Sequence, residues 1–135
     1  MALHDYAEMD ESDFYGQGFE KSGVVSVWAG LSNKASDSED LDVLQDLCGV
    51  GYYSLDNQES NCKDFQLVPL TDLLSDLSYV ASFQDAAIAA ASQLGLGNAR
   101  WVLAQYDFEY DPRRVKRQIH EDPLFLGVFP YSKVE

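Results

Sequence analysis

The chain has 135 residues, 46% hydrophobic and 13% aromatic, with 23 Asp and Glu against nine Lys and Arg for a formal net charge of −14. A chain of this length buries roughly two thirds of its surface as one domain, so the composition excludes global disorder and needs no metal or disulfide staple. The sign of the charge opposes nucleic acid and anionic membrane, and it favours basic proteins or cations as partners.

Residues 1–20 form an acidic arm holding Asp5, Glu8, Asp10, Glu11, Asp13 and Glu20 without a base. Phe14, Tyr15 and Phe19 are placed to pin the end of that arm to a surface. A single domain is expected over residues 21–135. Its first strand is Val24-Val25-Ser26-Val27-Trp28-Ala29, bounded by Gly23 and Gly30, where β-branched residues and Trp suit a buried pleat. Asp37, Glu39 and Asp40 then complement a helix N-terminus, Leu41, Leu44 and Cys48 fall at helical spacing, and Gly49 is the expected stop.

The stretch from Gly49 to Asp64 reads as turns carrying Tyr52, Tyr53, Asp56 and Glu59. A short strand is expected over Phe65–Val68, ending at Pro69. Thr71 is positioned to cap a helix with Leu73, Leu74 and Leu77. Ser82 opens a second helix whose apolar stripe is Phe83, Ala86, Ala87, Ala90 and Leu94, ending at Gly95. The late strand runs from Arg100 to Asp111: an apolar run, then Tyr106, Phe108 and Tyr110 on one face with Asp107, Glu109 and Asp111 on the other. Arg113–Arg117 is a basic patch, and Leu124–Phe129 is the last strand, closed by Pro130. Strands flanking a helical middle predict an α+β fold, a small antiparallel or mixed sheet packed against two or three helices. Trp28, Trp101 and Phe108 are assigned to the core.

The acid excess is uneven. Residues 1–99 hold 17 acids and three bases, whereas residues 100–135 hold six of each. Cys48 and Cys62 belong to no C-x-x-C and have no neighbouring His, so reduced thiols in a cytoplasm are expected, with no metal and no cofactor. No basic and apolar leader opens the chain, and no run reaches the ~18 apolar residues of a membrane span.

Side chains two apart on a strand lie about 6.6–6.8 Å from one another, too wide for neighbours to hold one metal unaided. Asp107, Glu109 and Asp111 therefore read as a solvated strand face, as a row awaiting a basic partner, or as metal or acid–base chemistry assisted from elsewhere. His4 and His120 stand apart from any nucleophile elbow such as G-x-S-x-G, and Gly95-Leu96-Gly97 ends a helix where a phosphate loop would open one. The acids flanking Arg113–Arg117 suit pairing within the chain better than nucleic-acid binding. Tyr52 and Tyr53 beside Asp56 and Glu59 have two readings: loop aromatics packed beneath the chain, or anchors of a protein interface.

Five pieces occur in order: Val25-Ser26-Val27-Trp28-Ala29-Gly30, Gly51-Tyr52-Tyr53-Ser54-Leu55-Asp56-Asn57-Gln58-Glu59, Leu77-Ser78-Tyr79-Val80-Ala81-Ser82-Phe83, Tyr106-Asp107-Phe108-Glu109-Tyr110 and Phe125-Leu126-Gly127-Val128-Phe129. Their order over residues 24–131 resembles the immunity protein 22 family of bacterial polymorphic toxin systems. Ser54 stands where that family's loop usually has Asp, so Asp56 and Glu59 are the loop acids that carry over. The resemblance implies a non-enzymatic α+β protein that binds and neutralises a cognate toxin, a basic nuclease for instance, in the producing cell. Tyr52, Tyr53, Asp56, Glu59, Asp107, Glu109 and Asp111 are the expected partner-binding residues. The competing expectation is an acidic adaptor or regulatory domain unrelated to toxins.

Overall fold

The computed structural model describes residues 17–32, 42–115 and 119–132. The acidic arm up to residue 16, the expected helix entry at residues 33–41, and Lys116, Arg117 and Lys133 lie outside the described residues.

β1 (Glu20–Gly30), β2 (Gln58–Cys62), β5 (Trp101–Phe108) and β6 (Leu124–Pro130) form a sheet in the order β2-β5-β1-β6. Each neighbouring pair is antiparallel. A second ribbon pairs β3 (Val68–Pro69) with β4 (Asn98–Ala99). The helices are α1 (Leu70–Leu74) and α2 (Gln84–Gln93), with a π-helical turn at Val43–Leu47. This is an α+β arrangement, as expected.

Alternation along β1 feeds two cores. Val25, Val27 and Ala29 join Leu70, Leu73 and Leu74 of the α1 side and Ala87 and Ala91 of α2. Trp28 joins Phe19, Leu44, Trp101, Leu103, Phe108 and Tyr110 on the opposite face. Both faces of the central strands are covered, so their sequences are apolar at consecutive positions. Gly30 is required by this packing: a Cβ there would lie 1.9 Å from the Trp101 ring.

Several expectations are corrected by the tertiary structure. Tyr106, Phe108 and Tyr110 do not share a face: Tyr106 lies in the helix-covered core, and the other two lie opposite. Asp107 takes a left-handed φ of 57°. The register with β1 breaks at the same place, shifting between Glu20 and Val25. An irregular residue in a strand reverses the phase of everything beyond it. Ser26 repairs the ladder there, its hydroxyl donating to Phe108 O at 2.6 Å and accepting from Tyr110 N–H at 3.0 Å.

The domain also begins earlier than residue 21. Phe19 is 2% exposed and packs on Phe108 and Tyr110 with centroids 5.4 and 5.5 Å apart. The buried Gln17 amide bonds Gly49 O and Gly51 N–H, each at 2.9 Å. β2 forms inside the stretch read as turns. Its Gln-Glu-Ser-Asn-Cys sequence has little strand preference, and the backbone of β5 supplies the pairing.

Thr71 lies inside α1, whose cap position is Pro69, because Leu70 N–H is already held by Gly97 O at 2.9 Å. Ser82 closes a 3-10 turn and donates to Tyr79 O at 2.7 Å instead of capping α2. The buried stripe of α2 is Ala87 and Ala91, with Phe83 ahead of it, while Ala86 and Leu94 are exposed. Gly95, the expected stop, has φ +76°. No described helix is long and apolar enough to cross a membrane.

Candidate functional site

The loop between the π-helical turn and β2 starts from a fixed point, since Gln17 holds Gly51. The chain beyond it faces solvent. Tyr52 is 59% and Leu55 69% exposed, and Asp56 beside them is exposed. Asp42 to Ala99 contains eight acids and Lys63 alone as a base, a net of −7 in which Asp56 and Glu59 lie.

Tyr53 turns inward. Its hydroxyl donates to the Asp42 carboxylate, 2.9 Å from both oxygens. Burial and that carboxylate push the phenol up to about 12, because both penalise the phenolate. Asp42 also caps the π-helical turn by accepting from Gln45 N–H at 3.1 Å. Tyr53 thus belongs to the packing of the loop.

Glu59 leaves β2 toward the helix-covered side. It accepts from Ser78 N–H at 2.8 Å and from the Ser78 hydroxyl at 2.5 Å. Together with Asp56, Asn57, Ser78, Tyr79, Tyr106 and Tyr131 it lines a polar cavity of about 160 Å³. The three rings touch one another: Tyr79–Tyr106 at 6.0 Å, Tyr79–Tyr131 at 5.8 Å and Tyr106–Tyr131 at 5.1 Å between centroids. Tyr79 holds its place with φ +59°, a conformation costing roughly 1–2 kcal/mol for a residue with a Cβ.

The carboxylate row is divided among three duties. Asp107 Oδ1 accepts from Tyr131 OH at 2.7 Å and from Gly23 N–H at 3.0 Å. Glu109 pairs with Lys21 at 3.2 Å on the surface. Asp111 binds Arg113 through two side-chain bonds of 3.0 and 3.1 Å and accepts from Arg113 N–H at 3.0 Å. The Arg113 side chain, first, and that backbone bond hold the Asp111 carboxyl below the usual range. Arg114 lies 5.5 Å from the Phe19 ring centroid. Within the described part of the basic patch, Arg113 thus pairs with a flanking acid, whereas Arg114 contacts a ring and the Gly18 carbonyl.

Of the seven expected residues, Asp56 and Glu59 meet at the cavity, with Asp107 behind Tyr131. Tyr52 stands on the exposed loop. Tyr53, Glu109 and Asp111 are held elsewhere. Sequence reading did not identify Tyr79, Tyr106, Tyr131 or Ser78 as site residues. Tyr79 lay within a quoted motif, and no local pattern joins it to a tyrosine 27 or 52 positions further on. Among the described residues, no three His, Cys, Asp or Glu converge as a metal-binding group. Comparison with protein-family models, curated proteins and solved structures finds no significant match to this chain.

Proposed function

We propose that the protein is an immunity protein that neutralises a basic toxin, a nuclease in the simplest case, by stoichiometric binding in the cytoplasm of the cell that makes the toxin. The observation that carries this reading is the exposed Tyr52–Leu55–Asp56 loop on a segment of net charge −7. Two apolar anchors beside a carboxylate match the makeup of an interface that must grip a cationic surface. The resemblance of the ordered motifs to the immunity protein 22 family points the same way.

Charge of this sign accelerates encounter with a basic partner, and burial of Tyr52 and Leu55 slows departure. Carboxylates placed on a nuclease's phosphate-binding surface compete directly with its substrate. Inhibition therefore comes from occupancy, without turnover.

The test is to mix the full chain with the toxin domain encoded beside it and to follow complex formation and toxin activity. A 1:1 complex that abolishes activity is expected. Tyr52→Ala or Leu55→Ala should weaken it by about 1–2 kcal/mol, chiefly through faster dissociation. Asp56→Asn should slow association and flatten the salt dependence. Undiminished toxin activity at molar excess of the protein overturns the reading. Equal binding to unrelated basic proteins would instead support a general acidic adaptor.

A further inference from the structure

The cavity at the end of the helix-covered face is lined mainly by hydrogen-bond acceptors. Tyr106 OH donates to Ser78 O at 2.7 Å, and Tyr131 OH donates to Asp107 Oδ1 at 2.7 Å. The Ser78 hydroxyl donates to Glu59 Oε2 at 2.5 Å. A hydroxyl has one proton, so each of these groups has spent its donor inside the protein and offers the cavity only lone pairs. Glu59 and Asp56 add acceptor oxygens and negative charge. The donors left to the cavity are the Tyr79 hydroxyl and the Asn57 amide, and an anion reaching them would sit against two carboxylates. A cation rich in N–H donors finds phenol oxygens, carboxylates and aromatic walls together.

We propose that this cavity receives a single cationic side chain, the head of one Arg or Lys, from the basic partner. The inference rests on the reading of the protein as an inhibitor of such a partner and supplies the contact that fixes its register. The volume of about 160 Å³ admits a guanidinium or ammonium head and is too small for a folded segment. Asp56 belongs both to the cavity and to the exposed loop, so a partner seated on Tyr52 and Leu55 has the cavity within its footprint. The left-handed backbone at Tyr79 and Asp107 supports the same assignment: Tyr79 supplies a wall, and Asp107 fixes the Tyr131 phenol.

The probes are methylguanidinium chloride and n-butylammonium chloride, titrated into the full chain at constant ionic strength. Tyrosine ring resonances are read by NMR, with sodium acetate as the anion control. Saturable shifts confined to Tyr79, Tyr106 and Tyr131 are expected for a cation and none for acetate; the tighter cation identifies Arg or Lys as the natural occupant. Glu59→Gln should weaken binding roughly tenfold, the effect of losing a charge-assisted bond. Tyr79→Asn is the second variant, because Asn tolerates the left-handed backbone while removing the ring. Non-saturating shifts, or binding unaltered by both variants, overturn the proposal. Saturable cation binding with an uninhibited toxin leaves the cavity assignment standing and removes the functional reading. Toxin inhibition without cation binding does the reverse.

Discussion

On one face of the sheet, Val25, Val27, Ala29, Val102 and Ala104 meet the leucines of α1 and the alanines of α2. On the other, Phe19, Trp28, Trp101, Phe108 and Tyr110 meet a π-helical turn and irregular chain. A regular helix with alanine on its inner stripe approaches a sheet closely, so small side chains suffice between them. Irregular backbone cannot follow the sheet surface, and large rings fill the space it leaves. Their edge contacts, such as Trp28–Tyr110 at 5.1 Å and Tyr110–Phe125 at 4.8 Å, give that side a defined geometry. Its polar ends are held by single bonds, including Tyr110 OH to Cys48 O at 2.6 Å and Trp101 Nε1–H to Ser32 O at 2.9 Å.

The aromatic face should be most sensitive to lost volume and the helix-covered face to added volume. Trp28→Ala, at a position 1% exposed, should cost about 3–5 kcal/mol in urea unfolding. A loss below ~1 kcal/mol would mean that the irregular cover collapses onto the cavity and is not held in place. Ala87→Leu, at a fully buried position of α2, should cost about 1–3 kcal/mol by forcing helix and sheet apart. A stabilised variant would show unfilled space on that face and break the distinction.

Thiol labelling compares the seal of the aromatic face with the exposed edge. Cys48 is 1% exposed, and burial, first, pushes its thiol up to about 12, so the reactive thiolate is scarce at neutral pH. Iodoacetamide at pH 8 should therefore modify the half-buried Cys62 roughly tenfold or more faster than Cys48. Equal rates would reveal frequent opening of the π-helical turn.

Alkaline unfolding addresses the same turn. Tyr53 has a folded pKa of about 12 against the ordinary 10.0. A raised value means that the fold favours the neutral phenol, so this contribution is complete below pH 10 and is lost as pH rises toward 12. Tyr53→Phe should be less stable than the native chain at pH 8, and the two urea midpoints should converge by pH 12. A constant gap across that range would contradict the assigned bond to Asp42. The smallest effect is expected at the surface: Lys21→Ala removes the exposed pair with Glu109 and should change stability by ~0.5 kcal/mol or less.

Much of the fold is legible along the chain. Val24–Ala29 and Trp101–Ala104 announce central strands because apolar residues rich in β-branched and aromatic side chains run nearly unbroken, with Ser26 the one polar position. The alanine-rich helix is recognisable, although its buried stripe turns on Ala91 and not on Leu94. β2 is illegible, since its polar residues are recruited by the backbone of β5. The phase change at Asp107 is equally hidden: Asp is common at turns, yet the alternation of rings around it reads as unbroken strand. For the site, Asp56 and Glu59 were legible as charged loop residues. Their companions Tyr79, Tyr106 and Tyr131 come from three distant segments, and each passes locally for a core or loop aromatic.

The sequence by itself determined the fold class, the central strands, the sign of the chain's own charge and the core role of Trp28, Trp101 and Phe108, because these depend on composition and short-range periodicity. Tertiary structure decided which acids remain available. Lys21 takes Glu109, Arg113 takes Asp111 and Tyr131 takes Asp107, while Glu59 is drawn to a cavity where Tyr106 and Tyr131 have turned their protons inward. Hydrogen-bond direction and pairing are properties of residues brought together from far apart, so they exist only once the chain has folded.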